Sequence, residues 1–397
     1  MKILVLNAGS SSLKFLLIDI TKNLTYAKGR VEINKNAESK VIAKINNKEI
    51  IKNCSVTNYI EALNCILDVL TDKKVGVIQN INEINAFGHR VVHGGKYTET
   101  VLITNEVISN LSKTDAPLHA ASSIDCIKAC ITLMPKVPNV AVFDTTFHKT
   151  MPKYASLYAI NKNDYEKFNI KKYGFHGTNH FYVSREYANI TKQDINTLNI
   201  ISCHLGNGSS VAAIQNGRSI DTSMGFTPLE GLVMGTRCGD IDPAVVEFLS
   251  RNKNISVSET IEYLNKQCGL LGLTNGFSFD MRDIEKHLNN PDCKLAFDMF
   301  VYRLKKYIGS YIAVLGKVDA IIFTGGIGEN DSLVRAGAID GLNNFGIKLD
   351  INLNSYKYNK PSKISKSDSN IEIYVIPANE ELIIAEETLS LLKKQSN

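Results

Sequence analysis

The sequence predicts an α/β protein built of two similar-sized halves, and three observations carry that prediction. Apolar strand runs alternate with helical patterns along the chain, without the eightfold strand-helix repeat of a barrel. At 397 residues and 44% apolar content, the chain has material for two hydrophobic cores of ordinary domain size. Third, ILVLNAGSSSLKFLLID at 3–19 is echoed by IISCHLGNGSSVAAIQNG at 200–217. Each is an apolar strand, a Gly/Ser turn, a second apolar strand and a polar turn.

Taken in order, residues 2–6 and 13–20 read as the two strands of a hairpin. Residues 59–70 carry apolar side chains at helical spacing behind Asn58 and Glu61, a capping pair. A helix over 122–134 is stopped by Pro135. VPNVAVFD at 137–144 is a buried strand ending in Asp144, a common place for a functional carboxylate in α/β folds. Further strands are predicted at 198–203 and 318–323. IIFTGGIGEN at 321–330 reads as a Gly turn after a buried strand and before a helix starting near Asp331, where backbone amides can meet a phosphate. The C-terminal IEIYVIPANEELIIAEETLSLLKK reads as a strand, a Pro-containing turn and an amphipathic helix with acidic residues in its first turn.

Composition narrows the function. A net charge of +5, from 45 basic and 40 acidic residues without long single-sign blocks, gives no footprint for nucleic acid. No apolar run approaches the roughly 20 residues of a membrane span, and the N-terminus leads directly into a strand pattern, so a cytoplasmic protein acting on small molecules is expected. Eight scattered cysteines without CxxC pairs point to neither a disulfide framework nor a zinc knuckle. They read as reduced, mostly buried thiols, with Cys126 and Cys130, one helical turn apart, as small apolar packing.

The familiar phosphate loops fail on inspection. HGGKYT at 93–98 has Arg90 where the first Gly of a Walker A loop belongs and Tyr97 after the lysine. No GxGxxG follows a strand, and GHRVV at 88–92 lacks the aspartate base of the protein-kinase HRD. His176 and His180 share zinc-like i, i+4 spacing, but no HExxH glutamate accompanies them and Gly177 is a poor helix residue.

At NAGSSSLKF (7–15) the chain resembles the acetate kinase family of short-chain carboxylate kinases. The likeness continues through GHRVVHGG (88–95), DAPLH (115–119), VAVFDTTFH (140–148), YGFHGTNH (173–180), HLGNGSS (204–210), TPLEGLVMGTRCGDIDP (227–243), DMRD (280–283), FTGGIGEN (323–330) and NEEL (379–382). Such ordered blocks cover nearly the whole chain. The resemblance implies the actin-like, sugar-kinase and Hsp70-ATPase type of fold, two related domains around an interdomain nucleotide cleft, in a homodimer. The domains would be 1–148, completed by the C-terminal helix 380–397, and a nucleotide-binding 149–379. It implies reversible transfer of the ATP γ-phosphoryl group to acetate, giving acetyl phosphate and ADP, with Mg²⁺ or Mn²⁺ as cofactor. A preference for propionate or butyrate is the alternative.

Residue roles follow from the same resemblance. Arg90 and Arg237 would hold the substrate carboxylate and the transferring phosphoryl group, which planar guanidinium forks suit better than lysine does. His176 would donate to the phosphoryl, Asp144 would be an essential catalytic carboxylate, and Asn7 and Glu380 would serve the metal. Ser10, Ser12 and Lys14 of the first hairpin, His204, Asn207 and Gly208 of the second, and Asp280, Arg282, Gly326, Gly328 and Asn330 would contact ATP. His119 and His204 are similar to the family's supporting histidines. Val92, Leu118, Phe175 and Pro228 would form the apolar wall around the acetate methyl. Without the resemblance, Asn7 reads as a turn residue, Glu380 as helix N-terminal charge, Asp144 as a strand-end cap, and the arginines as salt-bridging surface residues. Departures from the family pattern are AASSID after APLH, ANEE for TNEE, and RCGD for RSGD.

Overall fold

The computed structural model describes residues 1–9, 11–33, 39–46, 48–113 and 117–396, with backbone only at 117–120 and 396. Ser10, residues 115–116 of DAPLH, and the side chains of Leu118 and His119 therefore lie outside the described residues. The chain divides into two compact units, Met1–Thr146 with Asn379–Asn397, and Phe147–Ala378.

The first unit holds β1 (Lys2–Gly9), β2 (Ser12–Asp19), β3 (Leu24–Glu32), β4 (Ser39–Ile45), β5 (Lys48–Cys54), α1 (Tyr59–Leu70), β6 (Ala86–Val91), β7 (Val101–Leu102), α2 (Asn105–Ser112), α3 (Pro117–Leu133) and β8 (Asn139–Phe143). The sheet order is β5-β4-β3-β2-β1-β6-β8-β7. β1 and β2 form the antiparallel hairpin, closing with Gly9 opposite Ser12, while β6 runs parallel to β1 and β8 parallel to β6. Ile3, Leu4, Val5 and Leu6 are all buried because β1 is covered on both faces, which is why it reads as a continuous apolar run. Leu4 and Leu6 pack with Leu63 and Ile66 of α1, and Ile3 and Val5 with Ile384 and Ala385 of the C-terminal helix Glu380–Ser396. Each such side chain contributes about 2 kcal/mol of burial. Gly88 allows that helix its approach, since a Cβ there would lie 2.7 Å from Thr388 Oγ1 and 2.9 Å from Ile384 Cγ2. At the start of α1, Asn58 accepts from the Glu61 amide, whereas the Glu61 carboxylate reaches past it to the Thr57 amide.

The second unit repeats the plan. Its strands are β9 (Asn199–Leu205), β10 (Ser209–Gln215), β11 (Arg218–Thr222), β12 (Ala320–Thr324), β13 (Ser362–Lys363) and β14 (Glu372–Val375), ordered β11-β10-β9-β12-β14-β13. β9, β10 and β11 are antiparallel neighbours, and β12 and β14 continue the sheet in parallel with β9. Helix Pro291–Leu315 covers one face through Phe300, Leu304 and Ile308; helix Gly177–Thr191 covers the other through Val183 and Tyr187. No described helix is long and apolar enough to cross a membrane.

Two local readings differ from the sequence. α3 starts at Pro117 rather than near Ser122, a proline being suited to the first helical turn. FTGGIGEN is not an open turn: Gly325–Asn330 is itself a short helix, followed by Ser332–Ile339. Gly325 enters it at φ +79°, and the Glu329 carboxylate accepts from the Gly325 and Ala378 amides at 3.0 and 2.9 Å.

Candidate active site

In the first unit, β1, β6 and β8 end on the same side of a parallel sheet core, where α/β folds place ligand-binding groups. Asn7 lies near the end of β1, Arg90 on β6, Asp144 directly after β8, and Glu380 at the start of the C-terminal helix. They meet around Arg90. Its Nε and Nη2 donate to the two oxygens of Asp144 at 3.1 and 2.5 Å, a bidentate fork, with Glu380 Oε2 3.5 Å from Nε and Asn7 Oδ1 3.4 Å from Nη1. Asp144 is 1% exposed. Burial works against the Arg90 charge, but Asp144 and Glu380 outweigh it and hold its pKa above the ordinary arginine range. Lys14 faces Asn7 across the hairpin register, with an exposed side chain, and Ser12 pairs with Gly9, whose carbonyl accepts from the Tyr59 hydroxyl at 2.7 Å.

The second unit gathers a different set at the turn between β9 and β10. His176 caps helix Gly177–Thr191 in the left-handed region, φ +56°, and its ring stacks on His204 with centroids 4.2 Å apart. Gly208 sits beneath both His176 and Arg237: a Cβ there would lie 3.3 Å from Arg237 Nη1 and 3.5 Å from His176 Nε2. Arg237 Nη1 donates to the Pro228 carbonyl at 3.3 Å and to Met234 Sδ at 3.6 Å, and burial lowers its pKa. The Asn207 carbonyl accepts from the Gly235 amide at 3.0 Å, tying this turn to the loop that carries Arg237. Gly206 approaches Gly326, since a Cβ on Gly206 would be 4.0 Å from the Gly326 nitrogen.

A buried polar network fixes the histidines. Ser210 Oγ lies 2.8 Å from both His176 Nδ1 and His180 Nε2, and Ser202 Oγ lies 2.8 Å from His180 Nδ1. His180 is wholly buried, and burial pushes its pKa well below the ordinary value, so it is neutral at neutral pH. His148 donates from Nε2 to the Phe175 carbonyl at 3.0 Å and accepts at Nδ1 from Ser219 at 2.8 Å; burial pushes it down to about 4. It anchors the residue before His176. Asn179 donates to His204 Nδ1 at 2.8 Å and to Thr324 Oγ1 at 3.3 Å. Residue types alone did not single out Ser210, His148 or Asn179; their signal was the occurrence of polar residues inside otherwise buried stretches.

Asp280 caps helix Met281–Lys286 and pairs with the exposed Arg282 at 2.5 Å. Asn330 donates to the Gly326 carbonyl, and the Gly328 carbonyl accepts from the buried Arg335 at 2.9 Å. In the second unit, Phe175 and Pro228 are buried; in the first, Val92 is half-buried. Cys238 is pushed up to about 11, by burial and then by Cys268, and so holds its proton at neutral pH.

Residues 2–386 match the model of the acetokinase family. The chain belongs to that family. An acetate kinase of Desulfitobacterium hafniense is 48% identical, the match covering 99% of this chain and all of that protein. Among solved structures, Porphyromonas gingivalis acetate kinase superposes with a TM-score of 0.90 at 40% identity, covering 98% of this chain and 99% of that one. A propionate kinase from Francisella tularensis gives the same TM-score at 42% identity and the same coverage. Membership in the acetokinase family makes this chain a kinase, a phosphotransferase with a carboxyl group as acceptor.

Proposed function

We propose that the protein catalyses reversible, direct in-line transfer of the γ-phosphoryl group of ATP to acetate, giving acetyl phosphate and ADP. The observation that carries this reading is the convergence of Arg237 Nη1 and His176 Nε2 on Gly208, 3.3 and 3.5 Å from where a Cβ would stand, so that two donors meet at one glycine where a side chain would crowd them. The nucleophile needs no strong general base, since carboxylates with pKa values near 4 are already ionised at neutral pH. Catalysis is then alignment and charge neutralisation around a loose transition state.

Arg90 holds the acetate carboxylate, itself held in orientation by the Asp144 fork. Arg237 neutralises charge on the transferring oxygens. With Ser210 donating to His176 Nδ1 and accepting from neutral His180 Nε2, one of the two arrangements their contacts allow, the His176 proton lies on Nε2, facing the site as a donor. Val92, Leu118, Phe175 and Pro228 bound the acetate methyl. Lys14, Ser10, Ser12, His204, Asn207 and Gly208 serve the ATP phosphates, and Asp280, Arg282, Gly326, Gly328 and Asn330 the adenosine side. The nucleotide domain is 149–379. Magnesium, or manganese in its place, fits the hard oxygen donors of Asn7 and Glu380 beside Asp144. Bound there, it supplies positive charge against the phosphate oxygens. The family likeness supports a homodimer acting in the cytoplasm, with no nucleic-acid or membrane partner.

The Francisella propionate kinase supports a second reading, preference for the longer acid. One methylene in an apolar pocket discriminates by only about 1–3 kcal/mol, so both acids are expected to react. Hydroxylamine trapping of acyl phosphate with ATP and Mg²⁺ over acetate, propionate, butyrate and glycerol tests both readings. Highest kcat/KM with acetate is expected; highest with propionate would reverse the preference, and none with any acid would overturn the reaction.

A further inference from the structure

The face of α3 that meets β6 gathers three side chains with no part in phosphoryl transfer. His89 on β6 and Cys126 and Cys130 on α3 are 2%, 1% and 0% exposed, and one ligand atom of each lies within 4.8 Å of the others. Four-residue spacing puts both thiols on one face of the helix. His89 points to the opposite side of the strand from its neighbour Arg90, because successive strand residues alternate.

Asn139 decides which nitrogen of the ring is available. Its Nδ2 donates to the Val137 carbonyl at 3.0 Å, so its Oδ1, 2.8 Å from His89 Nε2, accepts a hydrogen bond there. The ring proton is therefore on Nε2, and Nδ1 carries the lone pair; the ring already hydrogen-bonds the Cys126 thiol, a contact that a shared metal ion would replace. A histidine whose far N–H is pinned by a second residue is the arrangement that orients metal-bound imidazoles.

We propose that His89, Cys126 and Cys130 form a binding site for zinc(II). Two thiolates and an imidazole nitrogen are the borderline-soft donors zinc takes, and two cysteines with one histidine are a known three-ligand zinc set, its fourth position left to water. Charge favours the dication too: with two thiolates it forms a neutral group, which a buried site tolerates, whereas a monovalent ion would leave a net negative charge. Sulfur donors exclude magnesium, which demands oxygen. The ion staples α3 to β6, one residue from Arg90.

The test uses the full-length protein stripped with chelator and titrated with zinc(II) against a chromophoric competitor under reducing conditions. One equivalent bound with submicromolar Kd is expected, together with a rise in the thermal midpoint. Cys126→Ser with Cys130→Ser should lose that equivalent, at least a 100-fold weakening, while the six other cysteines remain. Asn139→Ala should weaken it about tenfold. Cobalt(II) bound to the unaltered protein should show thiolate-to-cobalt charge-transfer bands, a readout that needs no variant to fold. Absence of stoichiometric zinc, zinc retained in full by the double variant, a cobalt spectrum without thiolate bands, or binding of copper(I) in place of zinc would each overturn the proposal.

Discussion

The two units share one sheet plan, three antiparallel strands followed by two parallel ones, as β3-β2-β1-β6-β8 and β11-β10-β9-β12-β14. They treat an arginine in opposite ways. In the first unit Arg90 is neutralised within the fold by Asp144 and Glu380, and its charge is stabilised. In the second, Arg237 donates to a carbonyl and a thioether beside the half-buried His176, and burial disfavours its charge. A repeated scaffold thus supports two arginines, one on β6 and one on the loop bonded to the β9–β10 turn, for two different electrostatic tasks. One arginine is oriented by anions of the protein; the other is held by a carbonyl and a sulfur, with burial working against its charge.

The sharpest way to break this contrast is to truncate each arginine. Arg237→Ala is expected to lower kcat by about 10³-fold or more, the range for arginines that stabilise a transferring phosphoryl group, with little change in thermal midpoint. Arg237→Lys should recover little, because a point charge cannot fork. Arg90→Ala should destabilise the fold by about 3 kcal/mol in denaturant titrations, since it leaves Asp144 buried without its fork. Adding Asp144→Asn should return much of that stability and none of the activity. Equal stability losses for the two arginine variants would refute the contrast.

A pH titration sharpens it further. His148, at about 4 in the folded state against an ordinary 6.5, takes up its proton more readily when unfolded. The His148 contribution to stability should therefore be lost as pH drops from 6.5 towards 4, about 3 kcal/mol, on top of the loss from His180, also held well below the ordinary value, over and below the same range. His148→Asn should make the thermal midpoint fall less steeply across that window, the remaining slope being due to His180. The smallest effect is expected at Ser210→Ala: about a tenfold fall in kcat and a displaced acid limb of the kcat profile, with KM for acetate held. An unmoved pH profile would reduce Ser210 to a packing role.

Much of the strand framework was legible because its signals are local. Continuous apolar runs bounded by Gly and Ser gave the β1–β2 and β9–β10 hairpins, and the apolar run before Asp144 gave β8. Sheet order was not, because it depends on long-range pairing that no window of sequence carries. FTGGIGEN misled because three glycines disfavour a helix on propensity, and tertiary bonds from Glu329 override that preference. The cluster of Asn7, Arg90, Asp144 and Glu380 was visible through family likeness alone, its members being scattered over the chain. Cys126 and Cys130 read as packing because the histidine that faces them arrives from another strand.

The C-terminal helix has a consequence for the order of synthesis. Glu380 belongs to the first unit, yet the ribosome makes it after every residue of the second. β1, β6 and β8 can pair early, and Asp144 can meet Arg90, but the helix that covers Ile3 and Val5 arrives last. An elongating chain therefore carries an open apolar sheet face while the whole second unit is being made, and becomes able to hold its second carboxylate against Arg90 only after that unit has been synthesised.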